Sequence, residues 1–385
     1  MKVLAVGGGS GGHVTPVVAV IRELKRLQPD VEVHFWCDRK FAPQARGIIR
    51  HFDSRIPVTT IHAGKLRRYN KLPLWRQLTR PSIVIPNIID LFLVVVGFVE
   101  SIFRLLFLKP DVVFTKGGFV CLPVGMAARL LRIPLVIHDS DAHPGLTNRL
   151  LASGAAAIAT GAPLRHYPYP KEKSHYVGIP ISSDFRPYTR DARIAMKRQL
   201  GFDETKPLLV VTGGGLGAKR LNDTVVATLS ELLEITSVLL ISGTAQYDEL
   251  TLQFPEETNR FQLKAFVSEG MVRVLGAADI VVARAGATTI MELAALAKPT
   301  ILIPNAYLTG GHQLKNAEAF AEDGAVLVLN EDKLEEDPLA LARAIRDLLV
   351  DNKRMQSMQR SFFSYARPQA AEDVAKLVLS SAKKP

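Results

Sequence analysis

Short apolar runs alternate with helical patterns along the whole chain. KVLAV leads into an amphipathic stretch ending near Leu27, and VEVHFWC, DVVFT, PLVIH, PLLVVTG, SVLLISG, FQLKAFV, DIVVARA and PTILIPN each resume the run. Runs this short and this continuously apolar suit strands buried on both faces. The helices between them predict parallel sheets covered on both sides, an α/β fold. The pattern also restarts midway: KVLAVGGGSGGH is answered by PLLVVTGGGLGAKRLND, each a strand that runs into a glycine loop and then a helix. Two doubly wound domains in tandem follow, and ligands of such sheets bind beyond the carboxyl ends of the strands. Between the halves, residues 176–192 carry Pro180 and Pro187 and no clear period. The boundary is expected within this stretch, with the domains drawn at 1–175 and 176–362 and an amphipathic closing segment at 363–385.

The most apolar stretch, PSIVIPNIIDLFLVVVGFVESIFRLLFLKP, is broken by Asp90, Glu100 and Arg104. A spanning helix needs about 20 apolar residues with few or no charges, so the expectation is a buried helix over residues 88–108 that does not cross a bilayer. Directly before it, residues 65–80 read KLRRYNKLPLWRQLTR, with six Lys/Arg, no acid, and Leu72, Leu74, Trp75 and Leu78 interleaved. Such a segment is either a solvated loop or a surface that sits among anionic lipid headgroups.

Composition narrows the partners. With 48 Lys/Arg against 37 Asp/Glu the chain carries +11, which favours nucleic acid, nucleotide phosphates or an acidic membrane surface. At 385 residues and 48% hydrophobic content it can fill two cores. Cys37 and Cys121, far apart in sequence, suggest neither a disulfide framework nor a metal cluster and are expected as buried small hydrophobes in a reducing compartment. The first apolar run reads as a strand feeding a loop, without the h-region of a signal peptide, so export is not expected.

Candidate chemistry begins at GGGSGGHVTP, residues 7–16, where five glycines occupy six positions. Thr15 is placed to cap a helix and Pro16 to begin it, which leaves residues 7–13 as a loop whose bare backbone can approach an anion or polar ligand. Gly7, Gly9 and Gly12 satisfy G-x-G-x-x-G, a weak dinucleotide signal when alone, with Asp38 available as a ribose-binding acid. His13 does not fit that reading. An imidazole with a free pKa of about 6.5 at the end of a cleft-facing loop suits a general base for a sugar hydroxyl, or else it merely hydrogen-bonds the loop.

The second half repeats the device in TGGGLGAKRLND, adding Lys219 and Arg220 as candidates for phosphate neutralisation. DIVVARAGATTIMELAALAKPTILIPN then supplies a strand, a loop over residues 284–287 and a helix beginning near Thr288, whose amides suit a diphosphate. Glu292 has two readings: the end of a Thr289-x-x-Glu292 capping box, or a carboxylate that accepts both hydroxyls of a ribose. GGHQLKNA adds His312, Gln313 and Asn316, polar groups suited to sugar hydroxyls.

Taken in order, GGGSGGHVTP, KPDVVFTKGGF, HDSDAHPGLTNR, GGGLGAKRLN, ADIVVARAGATTIMELAA and HQLKNA span nearly the whole chain. In this combination the sequence resembles the MurG family, the lipid I N-acetylglucosaminyltransferases of peptidoglycan synthesis. The resemblance implies a GT-B fold, two Rossmann-like domains facing across a cleft, with the last helix crossing back to the first. It implies transfer of GlcNAc from UDP-GlcNAc to the muramoyl 4-hydroxyl of undecaprenyl-diphosphate-linked lipid I, with inversion, giving lipid II. The implied enzyme is peripheral, at the cytoplasmic face of the cell membrane. Its partners are UDP-GlcNAc, lipid I and an anionic membrane surface, with no nucleic acid and no essential metal or cofactor.

Position by position, His13 matches the family's proposed base. Glu292 matches its ribose-binding glutamate, Arg284 the arginine before it, and Thr288 and Thr289 the phosphate-facing helix start. Gln313 matches a sugar-binding glutamine and Val267 the residue whose backbone meets the uracil. With them, Gly214, Gly215, Lys219, Gly286, Ala287 and His312 complete the implied donor site. Ser10, Gly11, Gly12, His13, Gly117, Gly118 and Asp141 form the implied acceptor site. Lys65, Arg67, Arg68, Lys71, Leu72, Trp75, Arg76 and Leu78 fall near the family's hydrophobic and basic membrane patch. Three motifs depart from the family. HEQN reads HDSD, so Asp141 replaces an asparagine and could orient His13 or serve as base in its place. GNPVR reads GIPIS, bringing in Ile179 and Ser182, and GGSQG becomes GGGLG through Gly215 and Leu216. The rival readings are a related transferase with another lipid acceptor, a UDP-GlcNAc 2-epimerase, and a non-catalytic nucleotide-sugar-binding membrane subunit.

Overall fold

The computed structural model describes residues 1–8, 11–65, 79–140, 144–214, 217–267, 270–305 and 312–383. The chain forms two compact units, Met1–Ser182 together with Arg367–Pro385, and Ser183–Ala366.

The first unit is built on seven parallel strands: β1 Lys2–Val6, β2 Glu32–Asp38, β3 Val58–Ile61, β4 Val112–Thr115, β5 Leu135–Asp139, β6 Ala157–Thr160 and β7 Ser174–Tyr176. Their order is β3-β2-β1-β4-β5-β6-β7. Alternation along each strand serves two cores. Val3, Ala5, Phe35 and Phe114 pack on one face, against Val14, Val17 and Ile21 of the helix Gly11–Leu27. Leu4, Val6, Trp36 and Val113 pack on the other, against Val124 and Ala127 of the helix Cys121–Leu130. The closing helix Ala370–Ser381 adds Val374, Ala375 and Val378 to the first of these cores.

The first unit runs past the break that residues 176–192 suggest at 175/176. Val177 and Gly178 donate to the Thr160 carbonyl at 3.2 and 3.1 Å, extending the β6–β7 edge. Ile179 and Ile181 are buried, and Arg22 Nη1 donates to Ser182 Oγ at 2.9 Å. Hydrogen bonding and burial thus hold the chain to this unit through Ser182, so the boundary falls inside the stretch 176–192, between its two prolines, and seven residues past the cut at 175/176.

Two further expectations are corrected. The first helix begins at Gly11, and Pro16 lies inside it. Pro16, the sixth helical residue, gives up the bond to the Gly12 carbonyl, and Thr15 and Pro16 are not the cap and first residue of this helix. The helix expected to be buried over 88–108 runs from Pro81 to Leu108 and is mostly exposed. Its buried positions, Ile83, Val94, Gly97, Ser101 and Leu105, form one narrow stripe. Ile85, Ile88, Ile89, Leu91, Phe92, Val95, Val99, Phe103, Leu106 and Phe107 face outward, Phe92 at 66% and Phe107 at 87% exposure. By length and composition alone this helix could cross a membrane.

Glycine sets how closely that helix docks. A Cβ at Gly97 would lie 1.8 Å from the His62 carbonyl oxygen, and one at Gly64 would lie 1.9 Å from that of Asp90. The segment leaving β3 therefore crosses the helix backbone to backbone at two points. Glu100 fixes the crossing by accepting from both the amide of His62 at 3.0 Å and its Nδ1 at 2.9 Å.

The second unit repeats the plan with six parallel strands: β8 Leu208–Thr212, β9 Ser237–Ile241, β10 Phe261–Lys264, β11 Ile280–Ala283, β12 Thr300–Leu302 and β13 Leu327–Val328. The order is β10-β9-β8-β11-β12-β13. In both sheets the strand order reverses between the first strand and the fourth, where doubly wound folds open a ligand crevice at the strands' carboxyl ends.

Candidate functional site

At the first unit's reversal point, β1 ends in the glycine loop and β4 in Lys116, Gly117 and Gly118. The glycines are left-handed, with φ of 91° and 86°, a conformation that a side chain rarely adopts. A Cβ on Gly117 would stand 3.1 Å from Asn148 Nδ2, so the loop lies close against the helix Leu146–Ala152. Cys121 Sγ donates to the Gly117 carbonyl at 2.9 Å, and burial pushes its thiol up to about 12, which makes it a packing residue and not a nucleophile.

Beyond β5, His138 is fully buried, donates from Nε2 to the Gly178 carbonyl at 2.8 Å and lies 3.2 Å from Ser140 Oγ through Nδ1. Burial, with Lys116 nearby, lowers its pKa to about 3, so this histidine is a neutral brace. Asp139 accepts from Tyr169 Oη at 2.6 Å and from the Gly145 amide at 3.2 Å, tying together both ends of the segment that contains Asp141.

His13 falls in the first turn of Gly11–Leu27, placed there by backbone alone, as are Gly11 and Gly12. Ser10, Asp141 and Gly215 lie outside the described residues, as do Arg67, Arg68, Lys71, Leu72, Leu74, Trp75, Arg76 and Leu78; Lys65 is described and exposed. Asp38 is no ribose acid. It is buried beneath the first glycine loop, where a Cβ on Gly8 would meet its Oδ2 at 2.5 Å, and its Oδ1 accepts from the Phe41 amide at 3.0 Å. The departures in GIPIS are absorbed by packing: Ile179 lies against Gly161, and Ser182 takes the bond from Arg22.

At the second reversal point, Thr212 Oγ1 accepts from the Gly214 amide at 3.2 Å as β8 enters its loop. Gly214 has φ 85° and open space where a Cβ would be, whereas Gly217, at φ 82°, sits against the Ser242 carbonyl. Lys219 begins the next helix, Lys219–Ala227, with its side chain exposed. Arg220 is not available for phosphate: it pairs with Glu331 at 2.9 Å, with Asp332 at 2.7 Å and with Glu335.

Beside it, β11 ends at Ala283, Arg284 comes next, and the nine-residue helix Ala287–Ala295 follows, with Gly286 as N-cap. Glu292 is therefore the sixth helical residue and Thr289 the third, which removes the capping-box reading. Ile290, Met291, Leu293 and Ala294 are buried, while Thr288, Thr289 and Glu292, spaced i, i+1 and i+4, make one partly exposed stripe. Burial pushes the Glu292 carboxyl up to about 8, and among the described residues no cation reaches it.

The loops around this helix are cross-braced. Arg284 is buried, donating from Nη1 to the Ile303 carbonyl at 2.9 Å and from Nη2 to Glu331. Gln313 Oε1 accepts from the Asn305 amide at 2.9 Å, and Asn316 Nδ2 donates to the Ala285 carbonyl at 3.4 Å. Arg284, Gln313 and Asn316 thus hold loop backbone, a role that their polarity alone did not distinguish from ligand binding. Val267 lies just past β10, half-buried, and His312 begins the helix His312–Glu322. Glu331 was missed from the sequence, where its only local mark is the capping Asn330, whose side chain accepts from the Asp332 amide at 2.8 Å.

Residues 3–160 match the glycosyltransferase family 28 N-terminal domain, and residues 208–377 match the family 28 C-terminal domain. The chain is 33% identical over 387 residues to the UDP-N-acetylglucosamine--N-acetylmuramyl-(pentapeptide) pyrophosphoryl-undecaprenol N-acetylglucosamine transferase of Clostridium kluyveri, covering 100% of this chain and 99% of that one. A protein of the same name from Halalkalibacterium halodurans is 33% identical over 392 residues, covering 100% of both. Among solved structures, Acinetobacter baumannii MurG superposes with a TM-score of 0.69 at 23% identity, over 98% of this chain and 99% of that one. The UDP-GlcNAc 2-epimerase of Neisseria meningitidis bound to UDP-GlcNAc gives 0.68 at 13% identity, over 99% and 100%. Both structures share the two-domain fold, and at 23% and 13% identity both speak for the fold alone. Full-length identity of 33% spanning both family 28 domains means that the chain belongs to the MurG family of glycosyltransferases.

Proposed function

We propose that this chain transfers N-acetylglucosamine from UDP-GlcNAc to the muramoyl hydroxyl of an undecaprenyl-diphosphate-linked acceptor, lipid I, at a membrane surface. The observation that carries the donor half is the stripe of Thr288, Thr289 and Glu292 at the carboxyl end of β11. The helix N-terminus offers amide donors to a diphosphate, and a carboxyl without a cationic partner among the described residues waits one turn along for a ribose.

The reaction is a single displacement. The acceptor oxygen bonds to the anomeric carbon as the bond from that carbon to the phosphate oxygen breaks, and UDP leaves with the electron pair. The acceptor proton passes to His13 or Asp141, and the product is β-linked. Amides at Ala287 and Thr288 offset the charge that develops on the diphosphate, so the scheme requires no divalent cation.

The membrane-facing element is the helix Pro81–Leu108. Burying one of its half-exposed side chains in lipid is worth on the order of 1 kcal/mol, so ten of them exceed what a peripheral anchor needs. The six basic residues before the helix add attraction to anionic headgroups. One stripe is packed on the first unit and held through Glu100, which favours lying in the interface over crossing it.

The decisive measurement is transfer of labelled sugar from UDP-GlcNAc to a soluble lipid I analogue, in the presence of chelator. A β-linked product is expected. Epimerised UDP-sugar formed without acceptor, or transfer only to other glycolipids, would replace this reading with one of its rivals. Replacing His13 and Asp141 separately by alanine identifies the base; if neither change lowers turnover while donor binding is kept, both assignments fail.

A further inference from the structure

We propose that Glu331 is a positioning residue for the donor end of the reaction, a single buried carboxylate that sets the spacing of the two loops whose helices face the nucleotide. The proposal rests on the reading of the second unit as the UDP-sugar domain. Glu331 is only 5% exposed, a costly place for a charge unless it is paired. Both of its oxygens are used: Oε1 accepts from Arg284 Nη2 and Oε2 from Arg220 Nη1.

Each partner belongs to a different loop. Arg284 is the residue after β11, just before the helix Ala287–Ala295. Arg220 is the second residue of the helix that follows the β8 glycine loop. Arg284 also holds the Ile303 carbonyl past β12, and Glu331 itself stands just past β13. One side chain therefore gathers the carboxyl ends of β8, β11, β12 and β13, the edge where a doubly wound sheet receives its ligand. Drawing Arg220 inward also leaves Lys219, in a surface pair with Asp223 at 3.4 Å, as the more exposed cation of that helix start.

Buried ion pairs add little net stability compared with well-packed apolar groups, and their better-attested use is to specify one geometry among several. Two guanidiniums on one carboxylate do so here. A neutral isostere keeps the shape but no longer draws both arginines inward.

The test uses the full-length chain with Glu331→Gln and Glu331→Asp, melted without nucleotide, titrated with UDP, and assayed for transfer to a soluble lipid I analogue. Glu331→Gln is expected to weaken UDP binding and raise the KM for UDP-GlcNAc by about tenfold, equivalent to about 1.4 kcal/mol, with kcat and acceptor KM within about twofold. Glu331→Asp, which retains the charge, should recover part of the loss. A folded Glu331→Gln protein with unchanged UDP affinity, or one that loses kcat with donor KM unchanged, overturns the proposal. Should Glu331→Gln fail to fold, Arg220→Gln removes only the outer strut, and unchanged donor KM there overturns the proposal equally. Failure of the wild-type chain to bind UDP would instead defeat the assignment of the second unit, a distinct result.

Discussion

Glu292 holds a proton that its proposed ligand would displace. Burial pushes its carboxyl up to about 8, so at neutrality most of the free protein carries the acid form. Accepting hydrogen bonds from two ribose hydroxyls favours the carboxylate. UDP affinity should therefore rise with pH across about 6 to 8 and level off above, and Glu292→Gln should flatten the profile; calorimetric titration reads both. The same shift has a stability sign. Between the ordinary carboxyl pKa and about 8 the folded chain binds more protons than the unfolded one, so this group's contribution to stability falls as pH rises through that window. The TTIME stretch left the capping box and the ribose carboxylate both open, because each needs the same spacing; only the position of the helix start, with Gly286 as N-cap, separates them. Nothing local could reveal that Arg284 is committed to Glu331, since the partners stand 47 residues apart in sequence and meet through sheet order.

At the scale of elements, the helix Pro81–Leu108 shows what hydropathy cannot decide. An apolar run states that the side chains avoid water, but not whether protein or lipid takes them in. Here, among the described residues, the buried positions are Ile83, Val94, Gly97, Ser101 and Leu105, on the side where the chain crosses closely at Gly97 and Gly64, while ten large apolar side chains face out. Replacing Ile88, Phe92 and Val95 together with serine should abolish most sedimentation with vesicles containing anionic phospholipid while leaving UDP binding unchanged. Retained vesicle binding would move the membrane face elsewhere. Gly97→Ala puts a methyl group where the His62 carbonyl now sits, and overpacking of this kind costs about 1–3 kcal/mol, read as a lower denaturation midpoint of the first unit. By contrast the glycine loops were legible, since strand, glycine run and helix recur in both halves at the strand ends where the sheets reverse.

Across the whole molecule, the alternation of apolar runs announced two parallel sheets, and both units have them. The stretch 176–192 announced the boundary, but its place at Ser182 was not legible, because hydrogen bonds to β6 and one contact from Arg22 hold residues 176–182, features that composition does not carry. The return of Arg367–Pro385 to the first unit suggests a deletion test. Truncation after Ala366 removes Val374, Ala375 and Val378 from a core shared with Val3 and Phe35. Each buried valine is worth about 1.5–3 kcal/mol against a domain margin of about 5–15. The expected result is a protease-sensitive first unit in a protein that still binds UDP; a first unit that stays protected would show the closing helix to be dispensable.

That same closing helix bears on how the protein is made. A ribosome delivers Ser183–Ala366 in full before residues 370–381 exist, so the second unit can fold while the sheet begun at Lys2 still lacks part of its cover. The half that emerges first is finished last, and a chain stalled near its end would carry a completed second unit joined to an open hydrophobic face, the form that chaperones and proteases recognise.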